Sequence, residues 1–75
     1  MSIEFSKHAL DQLKARKIPK ARIFITIKKP QKKLKSFNYR RLRQKQFGSK
    51  ILEVVTITEG SKITVVTQYY LKEDK

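Results

Sequence analysis

Residues 50–71, KILEVVTITEGSKITVVTQYYL, decide the fold. The stretch contains two runs rich in valine, isoleucine and threonine, which favour extended structure, and Glu59-Gly60-Ser61 separates them. A glycine in a short loop supplies the positive φ that a tight hairpin needs. The pattern therefore predicts a β-hairpin of residues 50–58 and 62–71, joined by a three-residue loop.

Alternation along this hairpin assigns its two faces, because successive side chains of a strand point to opposite sides. With a three-residue loop, one face is apolar and should carry the helices, while the polar face stays free for a ligand. The predicted apolar face comprises Ile51, Val55, Ile57, Ile63, Val65 and Tyr69, and the predicted polar face comprises Thr56, Thr58, Thr64, Gln68 and Tyr70.

Residues 39–47 precede the hairpin and also have the character of a strand, which ends at the turn signal Gly48-Ser49. Arginine, lysine and glutamine dominate both of its faces, so few of its side chains are suited to burial. This composition predicts an edge strand.

Apolar residues recur at helical spacing in the first third of the chain. Ser6 is suited to cap a helix over residues 7–17, and Pro19 suits the start of a second helix over residues 20–27 that ends before Pro30. The sequence therefore predicts an α+β fold, with two N-terminal helices packed on one face of a three- to four-stranded antiparallel sheet.

The length of 75 residues supports one hydrophobic core, so residues 1–75 are expected to form a single small basic domain. The chain has no cysteine, which excludes disulfides and thiol chemistry. No apolar run approaches the roughly 18 residues of a membrane span, and the N-terminus lacks the order of a signal peptide. We therefore expect a cytoplasmic protein without a membrane partner.

The charge balance is the main functional signal. Nineteen Lys and Arg residues oppose six Asp and Glu, giving a net charge of +13. Solubility needs a net charge of only about 2 to 8 in a small domain. A lysine-rich thermostable surface is the alternative, but such surfaces usually carry matching glutamates. The excess indicates a polyanion as partner, and RNA is the polyanion that we favour.

The basic residues are concentrated in the middle of the chain. None of the acidic residues lies between Asp11 and Glu53, whereas 15 of the 19 basic residues do. A solvated charge run is the alternative to a phosphate-binding surface. The candidate RNA-binding residues are Lys32, Lys33, Lys35, Arg40, Arg41, Lys45 and Lys50.

Three aromatic residues, Phe37, Tyr39 and Phe47, are interleaved with these cations. They are candidates for stacking against exposed bases. Core packing is the alternative role, and for Phe47 it is the more common one.

Candidate catalytic groups are few. His8 is the only histidine, and a histidine titrates near neutrality, although a surface or capping role is more common. Neither a metal-ligand set nor a pair of carboxylates is recognisable, so no cofactor is expected. Cleavage of RNA by its own 2′-hydroxyl needs only a base, an acid and a cation on the phosphate. The candidate catalytic residues are His8, Arg43 and Tyr70.

The chain also resembles the small uncharacterised bacterial and archaeal proteins that adjoin the RelE and BrnT toxins. One stretch resembles the opening helix of that family, and two later stretches resemble its closing hairpin. The resemblance is carried by residues 5–10 (FSKHAL) with Leu13, Arg16 and Ile18, by residues 50–55 (KILEVV) and by residues 63–70 (ITVVTQYY).

This resemblance implies a RelE-like fold and, from the characterised toxins, an endoribonuclease that arrests translation and is neutralised by an antitoxin. His8 and Arg16 fall on the helix positions of the family, and Tyr69 or Tyr70 falls on its terminal aromatic position. The chain departs from the family pattern at Gln12, where arginine is common, and at Lys17, where a glycine often closes the helix.

Three functional hypotheses follow. The first is a toxin-like endoribonuclease of a toxin–antitoxin pair, which cleaves free or ribosome-bound mRNA without a metal and has an acidic antitoxin as partner. The second is a non-catalytic nucleic-acid-binding protein of the small chromatin type. The third is a binding subunit whose positive surface meets an acidic protein.

Overall fold

The computed structural model describes residues 2–36 and 38–72 of the chain, with the backbone alone described at Lys72. Phe37, one of the candidate stacking residues, therefore lies outside the described residues. The elements are β1 (Ser2–Phe5), α1 (Lys7–Ala15), α2 (Lys20–Lys28), β2 (Lys32–Lys35), β3 (Arg40–Phe47), β4 (Lys50–Glu59) and β5 (Lys62–Lys72).

Helix α1 begins where the sequence predicts. The Ser6 hydroxyl accepts a hydrogen bond from the Ala9 backbone N–H at 3.0 Å, as an N-cap should. The helix ends at Ala15, two residues before the predicted end, because Lys17 adopts a left-handed φ of 55°. The Ile18 N–H then bonds back to the Leu13 carbonyl at 2.9 Å, which closes a Schellman motif.

Helix α2 follows directly, with Pro19 as its N-cap residue. It buries Ile23, Thr26 and Ile27 and ends at Lys28, close to the predicted boundary. Among the described residues, neither α1 nor α2 has the length and the apolar composition of a membrane-spanning helix.

The predicted sheet of three to four antiparallel strands is wrong, because the sheet has five strands in the order β1-β5-β4-β3-β2 and is mixed. Strand β1 pairs in parallel with β5, from Ser2↔Lys62 to Phe5↔Val65. Strand β2 pairs with β3, so β3 is an interior strand rather than the predicted edge strand. Both additional strands have only four residues, and β2 is three-quarters lysine, a residue that is depleted in strands.

The β4–β5 hairpin is present, but its predicted loop length is wrong. Glu59 pairs with Lys62, so the loop contains two residues instead of three. A change of one residue in register moves every side chain of one strand to the other face. A bulge opposite Val55 and Thr56 then shifts the second half of β5 by one further residue.

The faces of the hairpin therefore differ from the prediction. The helices cover Leu52 and Val54 of β4, together with Ile63 and Val65 of β5, and Tyr70 packs against this core. The register also places Thr56, Thr58 and Gln68 on the helix side, while Ile51, Val55, Ile57 and Tyr69 lie on the open face of the sheet.

Candidate nucleic-acid interface

The β2–β3 hairpin presents positive charge at the edge of the sheet. All four residues of β2 are exposed, Arg40 is exposed and Arg41 is half-buried. Lys35 lies directly opposite Arg41, and like charges at facing positions destabilise an antiparallel pair. We call this surface the cationic hairpin; it comprises Lys32, Lys33, Lys35, Arg40 and Arg41.

No carboxylate offsets this repulsion, because no side chain of the cationic hairpin forms an ion pair within the described parts of the chain. The nearest acidic residues in sequence are Asp11 and Glu53. Uncompensated cations at this density attract phosphate groups and release counterions when phosphate binds. The arrangement is unfavourable for the isolated fold and favourable for binding a polyanion.

The turn of this hairpin has an unusual backbone. The Ser36 N–H donates to the Arg40 carbonyl at 2.9 Å, and both Asn38 and Tyr39 adopt left-handed φ values of 57° and 62°. Asparagine tolerates this conformation, whereas a bulky residue is strained in it. The Tyr39 side chain is 91% exposed. The turn therefore holds an aromatic ring in water at a local conformational cost.

A shallow hollow of about 510 Å³ lies beside this turn. Its lining combines cations with an aromatic ring, a hydroxyl and an amide. The cations are suited to a phosphate, the aromatic ring to a base, and the hydroxyl and the amide to a sugar hydroxyl. The lining residues are Lys35, Ser36, Asn38, Tyr39, Arg40 and Arg41.

Arg43, a predicted catalytic residue, lies in the interior instead. Its side chain is only 8% exposed, and its guanidinium donates to the Ile27 carbonyl at 2.9 Å and to the Thr56 hydroxyl at 3.3 Å. Burial and the charge of Arg41 lower the pKa of Arg43. Because Ile27 is in the last turn of α2, Arg43 anchors the end of this helix to β3.

Lys45 has a related role two residues further along β3. Its ammonium group lies 3.4 Å from the carbonyl oxygen of Lys29, the C-cap residue of α2. A cation at a helix C-terminus interacts favourably with the helix dipole. Of the seven candidate RNA-binding residues, Lys45 thus supports the fold as well as contributing charge.

A second group of cations surrounds Tyr70, at the far end of β3. The Arg22 guanidinium donates to the Tyr70 phenol oxygen at 2.9 Å and lies 5.0 Å from the Phe47 ring centroid. The Lys50 ammonium group lies 5.2 Å from the Tyr70 ring centroid. We call these four residues the Tyr70 cluster. Its cations lie against aromatic faces, where cation–π attraction holds them.

The three predicted catalytic residues do not converge. His8 is exposed in the first turn of α1. Arg43 and Tyr70 share the helix-covered side, but β4 separates their strands, which puts them at least two strand spacings, roughly 10 Å, apart. Within the described part of the chain, no three His, Cys, Asp or Glu residues lie close enough together to hold a metal ion.

The open face of the sheet contains one buried acidic residue, Glu53, which is 6% exposed. Its carboxylate accepts hydrogen bonds from the Gln44 amide at 2.6 Å and from the Tyr69 hydroxyl. Burial and the contact with Glu53 raise the pKa of Tyr69 to about 12. Arg16 lies over the Tyr69 ring and donates to the Gln68 carbonyl at 2.7 Å. This group stabilises the sheet and borders the cationic hairpin, because Gln44 lies directly opposite Lys32.

Sequence reasoning did not identify Arg22. Its contact with Tyr70 joins residues 48 positions apart, and only the packing of α2 on the sheet creates it. Tyr39 is one of the three predicted stacking residues, and of the two that the structure describes it is the exposed one; Phe47 packs partly against the core. The left-handed turn that explains the difference includes Asn38, and this asparagine was the available signal.

No curated protein and no solved structure matches this chain in a comparison with known proteins. A family model, described as a domain of unknown function (DUF4258), matches residues 5–70. These residues include both helices, the strands β2, β3 and β4, and most of β5. The chain therefore belongs to the DUF4258 family.

Proposed function

We propose that this chain binds RNA through the cationic hairpin. One observation carries the proposal: Lys35 and Arg41 lie opposite each other on adjacent strands. Among the described residues, no carboxylate forms an ion pair with either of them. A fold tolerates such repulsion when a polyanion relieves it. The cytoplasmic location expected from the sequence is part of this proposal.

The hollow at the turn supports RNA as the polyanion. Ser36 and Asn38 place a hydroxyl and an amide beside the cations, and both groups donate and accept hydrogen bonds. The 2′-hydroxyl of ribose also donates and accepts, and it distinguishes RNA from DNA at a protein surface. A surface for DNA phosphates alone would need only the cations.

The Tyr70 cluster favours a second candidate function, metal-independent cleavage of the bound RNA. A phenol is able to exchange a proton with the 2′-hydroxyl or the leaving oxygen, and a guanidinium stabilises the charge on the phosphate. Arg22 and Tyr70 are already in hydrogen-bond contact at 2.9 Å. This candidate includes the toxin role on mRNA and an acidic antitoxin that would cover the cationic hairpin.

The binding proposal is tested by removing charge at matched positions. Lys33→Gln/Lys35→Gln removes two cations from the hairpin, and Lys7→Gln/Lys14→Gln removes two exposed cations from α1. One phosphate contact on single-stranded RNA contributes roughly fivefold to affinity at 0.1 M salt. We expect the hairpin variant to bind a labelled RNA about 25-fold more weakly in fluorescence anisotropy, with a shallower salt dependence.

The α1 variant is the control, since its net charge is the same. Its affinity for the RNA should fall less than about threefold, because charges more than roughly 10 Å from the bound RNA are screened by salt. Equal losses in both variants would show that binding follows net charge and would reject the cationic hairpin as the site. A DNA oligonucleotide of the same sequence should bind more weakly than the RNA, and equal affinities would contradict the choice of RNA.

Cleavage is tested with purified ribosomes and a message, followed by mapping of cut sites. The expected result is cutting that Tyr70→Phe abolishes while RNA affinity stays within about twofold, because the phenyl ring keeps its packing and loses only the hydroxyl. Absence of cuts with and without ribosomes would reject the second candidate and leave the binding proposal intact.

A further inference from the structure

We propose that Tyr39 is a stacking surface for an unpaired nucleobase, so that the cationic hairpin selects single-stranded or looped RNA over a continuous duplex. The inference rests on the proposed function and specifies its substrate class.

The environment of Tyr39 differs from that of every other described aromatic residue. Phe5 and Phe24 pack edge to face at 5.8 Å between centroids, and the remaining rings lie within contact of a cation. Tyr39 has no ring or cation partner among the described residues and is 91% exposed. Its flat faces are therefore available to a ligand.

The backbone conformation at this position argues against a structural role for the ring. A left-handed φ of 62° strains a residue with a bulky side chain, and the exposed ring gains no burial in return. Glycine or asparagine would form the same turn without that strain. Strain of this kind persists where it serves a function.

The neighbours of Tyr39 complete the binding geometry. Lys35, Arg40 and Arg41 line the same hollow, so phosphate groups on either side of a stacked base would meet cations. Bases within a duplex already stack on each other, whereas an unpaired base offers a free face to an aromatic side chain. The hollow thus fits an unpaired nucleotide.

The test compares three probes: oligouridine, the same oligouridine annealed to oligoadenosine, and inorganic polyphosphate, which has charge but no bases. Tyr39→Gly removes the ring and suits the left-handed backbone, so the fold is retained. We expect this variant to lose about tenfold in affinity for oligouridine, equivalent to about 1.4 kcal/mol, and to keep its affinity for the other two probes. Tyr39→Phe should bind oligouridine like the unmodified chain.

A direct signal comes from Tyr39→Trp, because the chain contains no tryptophan. Stacking should quench the indole fluorescence with oligouridine and leave it unchanged with polyphosphate. If fluorescence responds to phosphatidylserine vesicles and not to oligouridine, the ring is a membrane anchor and the proposal is overturned.

The two proposals fail in distinguishable ways. Unchanged oligouridine affinity in Tyr39→Gly, with the loss in Lys33→Gln/Lys35→Gln retained, overturns the stacking inference alone. Unchanged affinity in the lysine variant overturns the hairpin as an RNA site, whatever the result at Tyr39.

Discussion

The two ends of β3 carry similar cations in different surroundings. At its start, Arg40 and Arg41 lie beside the exposed β2 strand without carboxylate partners among the described residues. At its end, Phe47 contacts Arg22, while Lys50 at the start of β4 lies on the Tyr70 ring. Seven residues separate the two ends, roughly 23 Å. Aromatic neighbours therefore engage the cations at the end of β3, whereas the cations at its start remain available to a ligand.

Matched charge reversals at the two ends test this contrast most strongly. Arg40→Glu/Arg41→Glu should weaken RNA binding about 100-fold at 0.1 M salt, because it replaces two attractive contacts with repulsive ones. Arg22→Glu/Lys50→Glu changes the net charge equally and should weaken RNA binding less than about tenfold, since these cations lie at the other end of β3, roughly 23 Å away. Fluorescence anisotropy with one RNA measures both. Equal losses of RNA affinity in the two variants would contradict the assignment of RNA binding to the start of β3.

A second test concerns Arg43, between the two ends. Arg43→Met keeps an extended side chain but leaves the Ile27 carbonyl without its donor, so we expect a loss of about 2 kcal/mol in the free energy of unfolding. Arg41→Met, two residues away on the same face, should change that free energy by less than about 0.5 kcal/mol. Urea denaturation followed by circular dichroism provides the values. A stable Arg43→Met variant with weakened RNA binding would instead assign Arg43 to the site.

The smallest expected effect is a change in the free energy of unfolding when Tyr69, on the open face of the sheet, is replaced. Its pKa is raised from 10.0 to about 12 by burial and by Glu53. Because the folded pKa exceeds the unfolded one, the phenol stabilises the fold fully below pH 10, and this contribution disappears as the pH rises to about 12. Tyr69→Phe should be less stable than the unmodified chain by about 1 kcal/mol at neutral pH.

The pH profile of that difference is the informative measurement. The two chains share all their lysines, so the difference between their unfolding free energies isolates the phenol. The difference should shrink between pH 10 and 12, and a constant difference would show that Tyr69 acts through packing alone. RNA affinity should stay unchanged in Tyr69→Phe, in contrast to variants of the cationic hairpin.

Much of the fold was predictable from local signals. The Ser6 cap, the two prolines and the β-branched runs lie where α1, α2 and the β4–β5 hairpin form. The strands β1 and β2 were not predictable: β1 has only four residues and pairs with β5, 60 positions away, and β2 is three-quarters lysine, which is depleted in strands. The loop length was also ambiguous, since Glu59 fits either a loop or a strand end, and that one residue decided the assignment of faces.

The sequence predicted where the candidate site lies, but only some of the residues that form it. Charge density identified the segment that became the cationic hairpin. Arg43 has the same chemistry as Arg41 and the same parity along β3, so the sequence offers no reason for one to be buried and the other half-exposed. The difference arises from the end of α2, which lies over Arg43. Tertiary packing likewise brings Arg22 to Tyr70.

The parallel pairing of β1 with β5 has a consequence for the order in which the chain folds. Ser2 and Lys62 are partners across 60 positions of sequence, and the Ser6 hydroxyl donates to the Val66 carbonyl at 3.2 Å. Contacts between such distant segments slow folding, and they cannot form on a ribosome until β5 has emerged. During synthesis, Ile3 and Phe5 therefore lack the part of the hydrophobic core that β5 contributes. A nascent chain stalled before residue 62 would therefore expose these apolar side chains to chaperones.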